Sequence, residues 1–413
     1  FKLFLVVCLL SATSCDNELT EINQNPNGVD PSQGNPSFLL TQVMVNTALD
    51  VGSKGYSGEL SAFVQYTQKD SWGNNNYDWD GSGWNTYYGN LRSAKLALQR
   101  SQELGYTLHE AIAQILMAQN FVTLADYYGD VPYSNAVQAD EDVILPTYDS
   151  QEAVYKGAIA DFVAAAASIS NNMGNLEAFG ASQDIFFGGD AEKWMKYANS
   201  LALRYYMRLS EKDPSYAQAG VTATLAKPLI SSVDEECALA YIGTSDGTAQ
   251  PSNSSTGGAS AFNRVKPCTT FTDRLRELND PRANIWFAPV AIPIKVVAAA
   301  DVPGGEDDVV VDGVRYINEE TLADNGLKIY DKNTWKADRL AGLSLVDTSS
   351  TYVGLPVSYQ GSEPYTYNLN PNPVQGGGNV HVSLMNDQFK EASGDFLKAR
   401  VLSYAEVCFL KAE

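Results

Sequence analysis

The chain is 413 residues long and carries 49 Asp plus Glu against 28 Lys plus Arg, a formal charge of −21. With 44% hydrophobic and 19% charged residues it has the composition of a globular protein with a large core, which excludes a disordered chain. So acidic a surface repels phosphate backbones and excludes nucleic acid as a partner. His109 and His381 are the only histidines, which rules out a multi-histidine metal cage and leaves little for a His-dependent triad.

Phe1-Lys2 is followed by an apolar run from Leu3 to Leu10, far short of the ~20 residues of a membrane-spanning helix. It reads as the core of a secretory signal, with the small residues Ser11, Ala12, Thr13 and Ser14 directly before Cys15. Residues 1–14 are therefore expected to be a signal peptide truncated at its start, with Cys15 a lipidation site freed by cleavage. Ala12 stands where leucine is usual three residues before such a cysteine. Residues 15–36, rich in Asn, Gly and Pro, read as a flexible tether. The folded domain is expected over residues 37–413, truncated in mid-helix at its C-terminus. Acyl chains contribute about 0.8 kcal/mol per buried CH₂, so two or more would hold the protein on a membrane. No CxxC occurs; in an exported chain a Cys237–Cys268 disulfide is open, though spacing does not establish it.

Apolar periodicity predicts helices over residues 38–50 and 57–69, then over 85–104 with Leu91, Ala94 and Leu98 on one stripe. Thr107 and Glu110 have capping-box spacing. Leu108, Ile112, Ile115, Ala118, Val122 and Ala125 then recur in steps of three and four until Gly129 and Pro132 end the helix. A fifth helix starts from Asp149, with stripe Tyr155, Ile159, Phe162, Ala166 and Ile169. A sixth runs from an Asp190 cap to about Glu211, with Trp194, Ala198, Leu201 and Tyr205 inward, and Pro214 closes it. Paired helices on short loops point to helix-turn-helix repeats, although no clean sequence period is visible.

From residue 231 to 391 Gly, Ser, Asn and Pro are dense and helical stripes are rare. Asp312-Gly313 inside residues 309–316 predicts a hairpin on a type I′ turn. Residues 370–378 read as loop, and helix returns over residues 399–413.

Several stretches resemble, in order, the SusD/RagB-like outer-membrane lipoproteins of Bacteroidetes. They are Cys15 with acidic Asp16 and Glu18, then Leu124-Ala-Asp-Tyr-Tyr-Gly-Asp-Val-Pro-Tyr133, then Tyr148-Asp-Ser-Gln-Glu-Ala-Val-Tyr155. Gly189-Asp-Ala-Glu-Lys-Trp-Met-Lys-Tyr-Ala-Asn-Ser-Leu-Ala-Leu-Arg204, Asp280-Pro-Arg282 and Tyr404-Ala-Glu-Val-Cys-Phe-Leu-Lys-Ala-Glu413 follow. No one of these is decisive; their common order is specific. The resemblance implies a mainly α fold of tetratricopeptide-like helix pairs, an α-solenoid scaffold, with an irregular, loop-rich second half carrying a minor β-hairpin. It implies a surface-exposed, lipid-anchored protein of the outer membrane that binds oligosaccharide and delivers it to a SusC-like TonB-dependent transporter, without enzymatic activity. A peptide-binding RagB-type receptor and a helical-repeat protein-interaction scaffold are the alternatives.

Neutral sugars offer weakly apolar C–H faces rimmed by hydroxyls, so a site for them needs exposed rings beside Asn, Asp, Gln or Arg. Residues 70–88 have that chemistry, with three of the six Trp inside thirteen residues. The candidate ligand residues are Trp72, Asn74, Asn76, Tyr77, Trp79 and Trp84, with Trp286 as a second-line candidate. Trp84, Tyr87 and Tyr88 stand at helical spacing, which favours packing, as it does for Trp194. No catalytic or metal-binding set is expected, and no cofactor. A weak calcium possibility attaches to Asn76-x-Asp78-x-Asp80-Gly81, whose twelfth position is Tyr87 rather than Glu, and to Glu306-Asp307-Asp308. Gly243-Thr-Ser-Asp-Gly247 spells a nucleophile elbow, but no helix pattern follows it.

Overall fold

The computed structural model describes residues 34–56, 59–69, 84–357, 359 and 362–413. The expected signal peptide, Cys15, the tether up to residue 33, the calcium-like stretch at residues 76–81 and residues 70–83 lie outside them. The chain divides into two compact units, one of residues up to Val43 with 87–228, the other of residues 44–86 with 229–413.

The described region opens with α1 (Pro36–Tyr56), a short α2 (Glu59–Phe63) and β1 (Thr67–Lys69). The helix expected over 57–69 is thus broken. Gln65 takes a left-handed φ of 59°, and the residues beyond it pair antiparallel with a distant strand. That pairing satisfies backbone groups that a lone helix end would leave open.

Helices α3 (Asn85–Leu104), α4 (Thr107–Tyr128), α5 (Gln151–Asn172), α6 (Ala191–Arg208) and α7 (Pro214–Leu225) build the first unit. The short strands β2 (Val131–Pro132) and β3 (Tyr148–Asp149) pair between α4 and α5. In turn α4 packs on α5, α5 on α6 and α6 on α7, the neighbour-to-neighbour order of a solenoid. The buried stripe of α5 includes Val154, Tyr155, Ile159, Phe162 and Ile169. Each such side chain contributes roughly 1.5–3 kcal/mol relative to exposure. A buried polar clasp ties α3 to its neighbours: Asn90 Nδ2 donates to Asn120 Oδ1 at 3.1 Å and to the Val43 carbonyl at 3.4 Å.

Three cap assignments change. Thr107 is the first helical residue of α4, and the cap position is Tyr106, with no side-chain acceptor, so the capping box does not form. Ser150, not Asp149, caps α5, its Oγ accepting from the Ala153 N–H. Asp149 instead accepts the N–H groups of Tyr133 and Ser134 and pins that turn. Asp190 caps α6 as expected, accepting from Glu192 and Lys193. Pro214 does not close α6; it opens α7, a helix that the sequence pattern did not show, where its missing N–H is harmless.

The second unit is a mosaic of short elements. In chain order they are β4 (Cys237–Ala240), α8 (Gly258–Arg264), β5 (Val265–Pro267), α9 (Thr269–Glu277), α10 (Ala283–Trp286) and β6 (Ile294–Val297). Then come β7 (Asp308–Val311), β8 (Val314–Asn318), α11 (Glu319–Asp324), β9 (Leu327–Ile329), α12 (Trp335–Leu340) and β10 (Ser344–Val346). Last are α13 (Glu363–Thr366), β11 (Lys398–Leu402) and α14 (Tyr404–Ala412). The hairpin forms where expected, with Asp312 at φ 49° and Gly313 at φ 74°, and β6 joins β8 in parallel. Asp308 is bound to Arg315 and Asp307 to Asn318, so these carboxylates are engaged within the hairpin. The helix expected over 399–413 begins only at Tyr404, because Lys398–Leu402 pairs antiparallel with β4. Cys237 and Cys268 are both buried and are not joined in a disulfide. Cys237 lies in β4, whereas Cys268 follows β5 and bridges to Leu355. Residues 246–248 form a single 3₁₀ turn after the Gly243 segment, unlike the helix of a nucleophile elbow.

Candidate functional site

Of the residues singled out for ligand binding, Trp84 and Trp286 are described; Trp72, Asn74, Asn76, Tyr77 and Trp79 lie outside the described residues. Trp84 is half-buried in the turn before α3 and does not line the cavity at Trp286. Tyr87 is buried, and the Tyr88 hydroxyl donates to the Pro132 carbonyl at 2.8 Å, so these two rings are structural. Trp194 is fully buried.

Trp286 is the last residue of α10, and its backbone is locked from both sides. Its N–H donates to the Arg282 carbonyl at 3.0 Å, and its own carbonyl accepts the Asn386 N–H at 2.8 Å. One face of the indole stacks on Phe271 of α9, with centroids 5.8 Å apart and planes at 26°. Phe271 in turn stacks on Tyr66 at 4.6 Å and 28°. Tyr66 precedes β1, so the β1–β5 pairing carries one end of this three-ring stack. The Arg282 guanidinium sits 5.0 Å from the indole centroid, one helical turn back. Asp280 holds it there with bonds of 2.9 Å to Nε and 2.6 Å to Nη2. The same hydrogen bonds lower the Asp280 carboxyl to about 2, so the Asp280-Pro-Arg282 motif is a fixed ion pair that orients a cation against the ring.

Beside Trp286 lies a cavity of about 390 Å³. Its apolar walls include Met385, Phe389 and Phe396, the two Phe rings meeting edge to face at 5.6 Å. Tyr241, Lys398 and Arg400 supply polar groups. Burial raises the Tyr241 phenol above its ordinary pKa, so it is a neutral hydroxyl able to donate and accept. Glu236 orients Arg400, accepting from Nε at 3.0 Å. Gly52 of α1 makes room: a Cβ there would come within 2.6 Å of the Tyr241 hydroxyl oxygen. Among the described residues no carboxylate lines the cavity, and its walls offer stacking faces and hydrogen-bonding groups. Among the described residues no three His, Cys, Asp or Glu gather in a metal-binding group.

Sequence reasoning found Trp286 but missed Tyr66, Phe271, Tyr241, Phe389 and Phe396. A legible signal did exist: Arg282 lies four residues before Trp286, the spacing at which a cation reaches a ring on one helical face.

A model of the SusD-like family, described as starch-binding and associating with the outer membrane, matches residues 27–298. No curated protein matches the chain. Among solved structures, the chain is similar to a SusD-like protein from Bacteroidetes at 20% identity, with a TM-score of 0.62 over 92% of this chain and 72% of that one. It is similar to a chitin-binding protein at 20% identity and a TM-score of 0.60, over 92% of this chain and 69% of that one. It is also similar to a SusD homologue from Bacteroides uniformis at 22% identity and a TM-score of 0.59, over 91% of this chain and 65% of that one. At these identities the structural likeness speaks to the fold, a helical, tetratricopeptide-like scaffold. Since the family model spans well over half of the residues, the chain belongs to the SusD-like family of starch-binding proteins that associate with the outer membrane.

Proposed function

We propose that this protein captures oligosaccharide at the cell surface, anchored in the outer membrane through a lipid on Cys15, and delivers it unchanged to a SusC-like TonB-dependent transporter. The observation that carries the binding step is the cavity at Trp286, where stacked and edge-on rings meet neutral and cationic hydrogen-bond donors. The family description names starch, and one structurally similar protein is chitin-binding; both are polysaccharides, which supports a glycan ligand.

Covering one aromatic face contributes on the order of 1–2 kcal/mol. A few such contacts total about 4–8 kcal/mol, a millimolar to micromolar affinity that permits release. Isothermal titration of the purified chain against malto-oligosaccharides, chito-oligosaccharides and oligopeptides tests the reading. At least one glycan series is expected to bind, and Trp286→Ala to weaken it roughly 5- to 30-fold, the same 1–2 kcal/mol as a ratio. Binding of peptides alone would replace the glycan reading with a peptide receptor. No turnover of labelled glycan is expected. Anchoring is checked separately, by palmitate incorporation that Cys15→Ala abolishes.

A further inference from the structure

A second cavity in the same unit, of about 270 Å³, is lined by Asp273, Arg276, Glu277, Tyr330, Lys332 and Asp347, with Thr348 and Ser349 beside them. Arg276 pairs with Asp273, and Lys332 and Arg274 both pair with Glu277. Asp347 is left over, only 2% exposed. Its Oδ1 accepts the Ser349 N–H at 2.8 Å, but Oδ2 has no hydrogen-bond partner among the described residues. Arg276 is near enough to act on Asp347 electrostatically, yet its guanidinium is committed to Asp273 and to the Ser349 hydroxyl.

The backbone that carries this carboxylate is held in place. Asn368, held at φ 55°, clamps its backbone: the Asp347 N–H donates to Asn368 Oδ1 at 2.8 Å, and Asn368 Nδ2 donates to the Asp347 carbonyl at 3.3 Å. The buried Tyr367 hydroxyl, near enough to Asp347 to feel its charge, likewise has no hydrogen-bond partner among the described residues. The Tyr330 hydroxyl donates to Asp273 Oδ2 at 2.9 Å, which leaves its oxygen free to accept.

We propose that this cavity binds a primary ammonium group, with Asp347 Oδ2 accepting one N–H and the Tyr330 hydroxyl oxygen available for another. Among the described residues Asp347 is the one carboxylate lining this cavity that has no ion pair, and an ammonium supplies that charge where a neutral hydroxyl does not. A buried carboxylate without a counter-charge is costly, so the missing cation restores balance. A calcium ion would need six to eight oxygens, and among the described residues Asp273, Glu277 and Asp347 do not form a group that could hold a metal ion. The ammonium can belong to an amino sugar or to an amino-acid side chain. The site stands apart from the Trp286 cavity and does not depend on what that cavity holds.

Saturation-transfer NMR with the full chain tests this, using glucosamine, N-acetylglucosamine and lysine amide as probes. Glucosamine or lysine amide is expected to receive at least fivefold more saturation than N-acetylglucosamine. That difference should vanish in Asp347→Asn, a variant that retains an oxygen for the Ser349 N–H. A response to glucosamine alone assigns an amino sugar, and a response to lysine amide alone assigns a side-chain amine. Equal transfer to glucosamine and N-acetylglucosamine in the wild-type protein would overturn the proposal, and that comparison stands even if Asp347→Asn fails to fold. An amine response unchanged in a folded Asp347→Asn, or one displaced equally by potassium chloride, would overturn it as well.

Discussion

Removing the Asp184 carboxylate should be among the most damaging single changes in the helical unit. Asp184 is 1% exposed in the loop between α5 and α6. Its Oδ2 accepts Trp194 Nε1–H at 2.8 Å and the Gly189 N–H at 2.7 Å. Its Oδ1 accepts the N–H groups of Phe187 at 3.1 Å and Phe186 at 3.2 Å. One side chain thus satisfies four donors that face Trp194, Phe187 and Tyr197 rather than water. Each buried donor left without an acceptor costs about 1–3 kcal/mol, and the costs do not add fully because the loop relaxes and admits water. Asp184→Ala should therefore cost about 3–5 kcal/mol, in the range of the largest single-site effects. Asp184→Asn, which turns an N–H₂ toward one pair of donors, should cost about half as much. Trp194→Phe separates the indole hydrogen bond from the rest. Chemical denaturation gives the total, and hydrogen–deuterium exchange localises the loss to peptides covering residues 184–208. A loss below about 1 kcal/mol for Asp184→Ala would refute the account, because unmet buried donors cannot be that cheap.

The remaining predictions are simpler. Gly354→Ala should destabilise by about 1–3 kcal/mol or more, since a Cβ there would lie 2.5 Å from the backbone of Cys268 and Thr269, which cannot step aside; thermal unfolding checks this, and an unchanged midpoint would refute it. Acid should loosen the second unit through His381, whose Nδ1–H donates to the Ile292 carbonyl at 2.6 Å while Nε2 faces Arg315. Burial, aided by that arginine, holds its pKa below 6.5, so the unfolded chain takes a proton that the native state refuses. Its stabilising contribution is complete above pH 6.5 and is lost as pH falls through the lower native value; comparing unfolding midpoints at pH 7.5 and 5 should show a drop that His381→Gln reduces. A thiol reagent should label Cys408 in the native protein and reach Cys237 and Cys268 only after unfolding, with no mass change on reduction at either; rapid native labelling of those two would contradict their burial.

Helices α3 to α6 of the first unit were legible because an α-helix is written locally. The stripe from Tyr155 to Ile169 on α5 and the Asp190 cap on α6 depend on residues three or four apart, and both occur as read. Caps failed where a neighbouring element competed for the same side chain, as when Asp149 turned to the Tyr133 turn and left α5 to Ser150. Strands failed for a different reason. Residues 67–69 and 399–402 read as helix, but Thr67 meets Pro267 and Ala399 meets Leu239, partners that no local pattern reveals.

The candidate site divides the same way. The family resemblance marked Asp280-Pro-Arg282, Trp286 was a second-line candidate for its place just after that motif in the irregular half, and the ordered motifs were enough to identify the family. Only the tertiary structure set Phe271 and Tyr66 against Trp286, brought Phe389, Phe396 and Arg400 to its cavity, and left Asp347 Oδ2 without a hydrogen-bond partner among the described residues. Helical periodicity is a property of neighbours along the chain, whereas a cavity and an unpaired charge are properties of residues that meet only when distant segments pack.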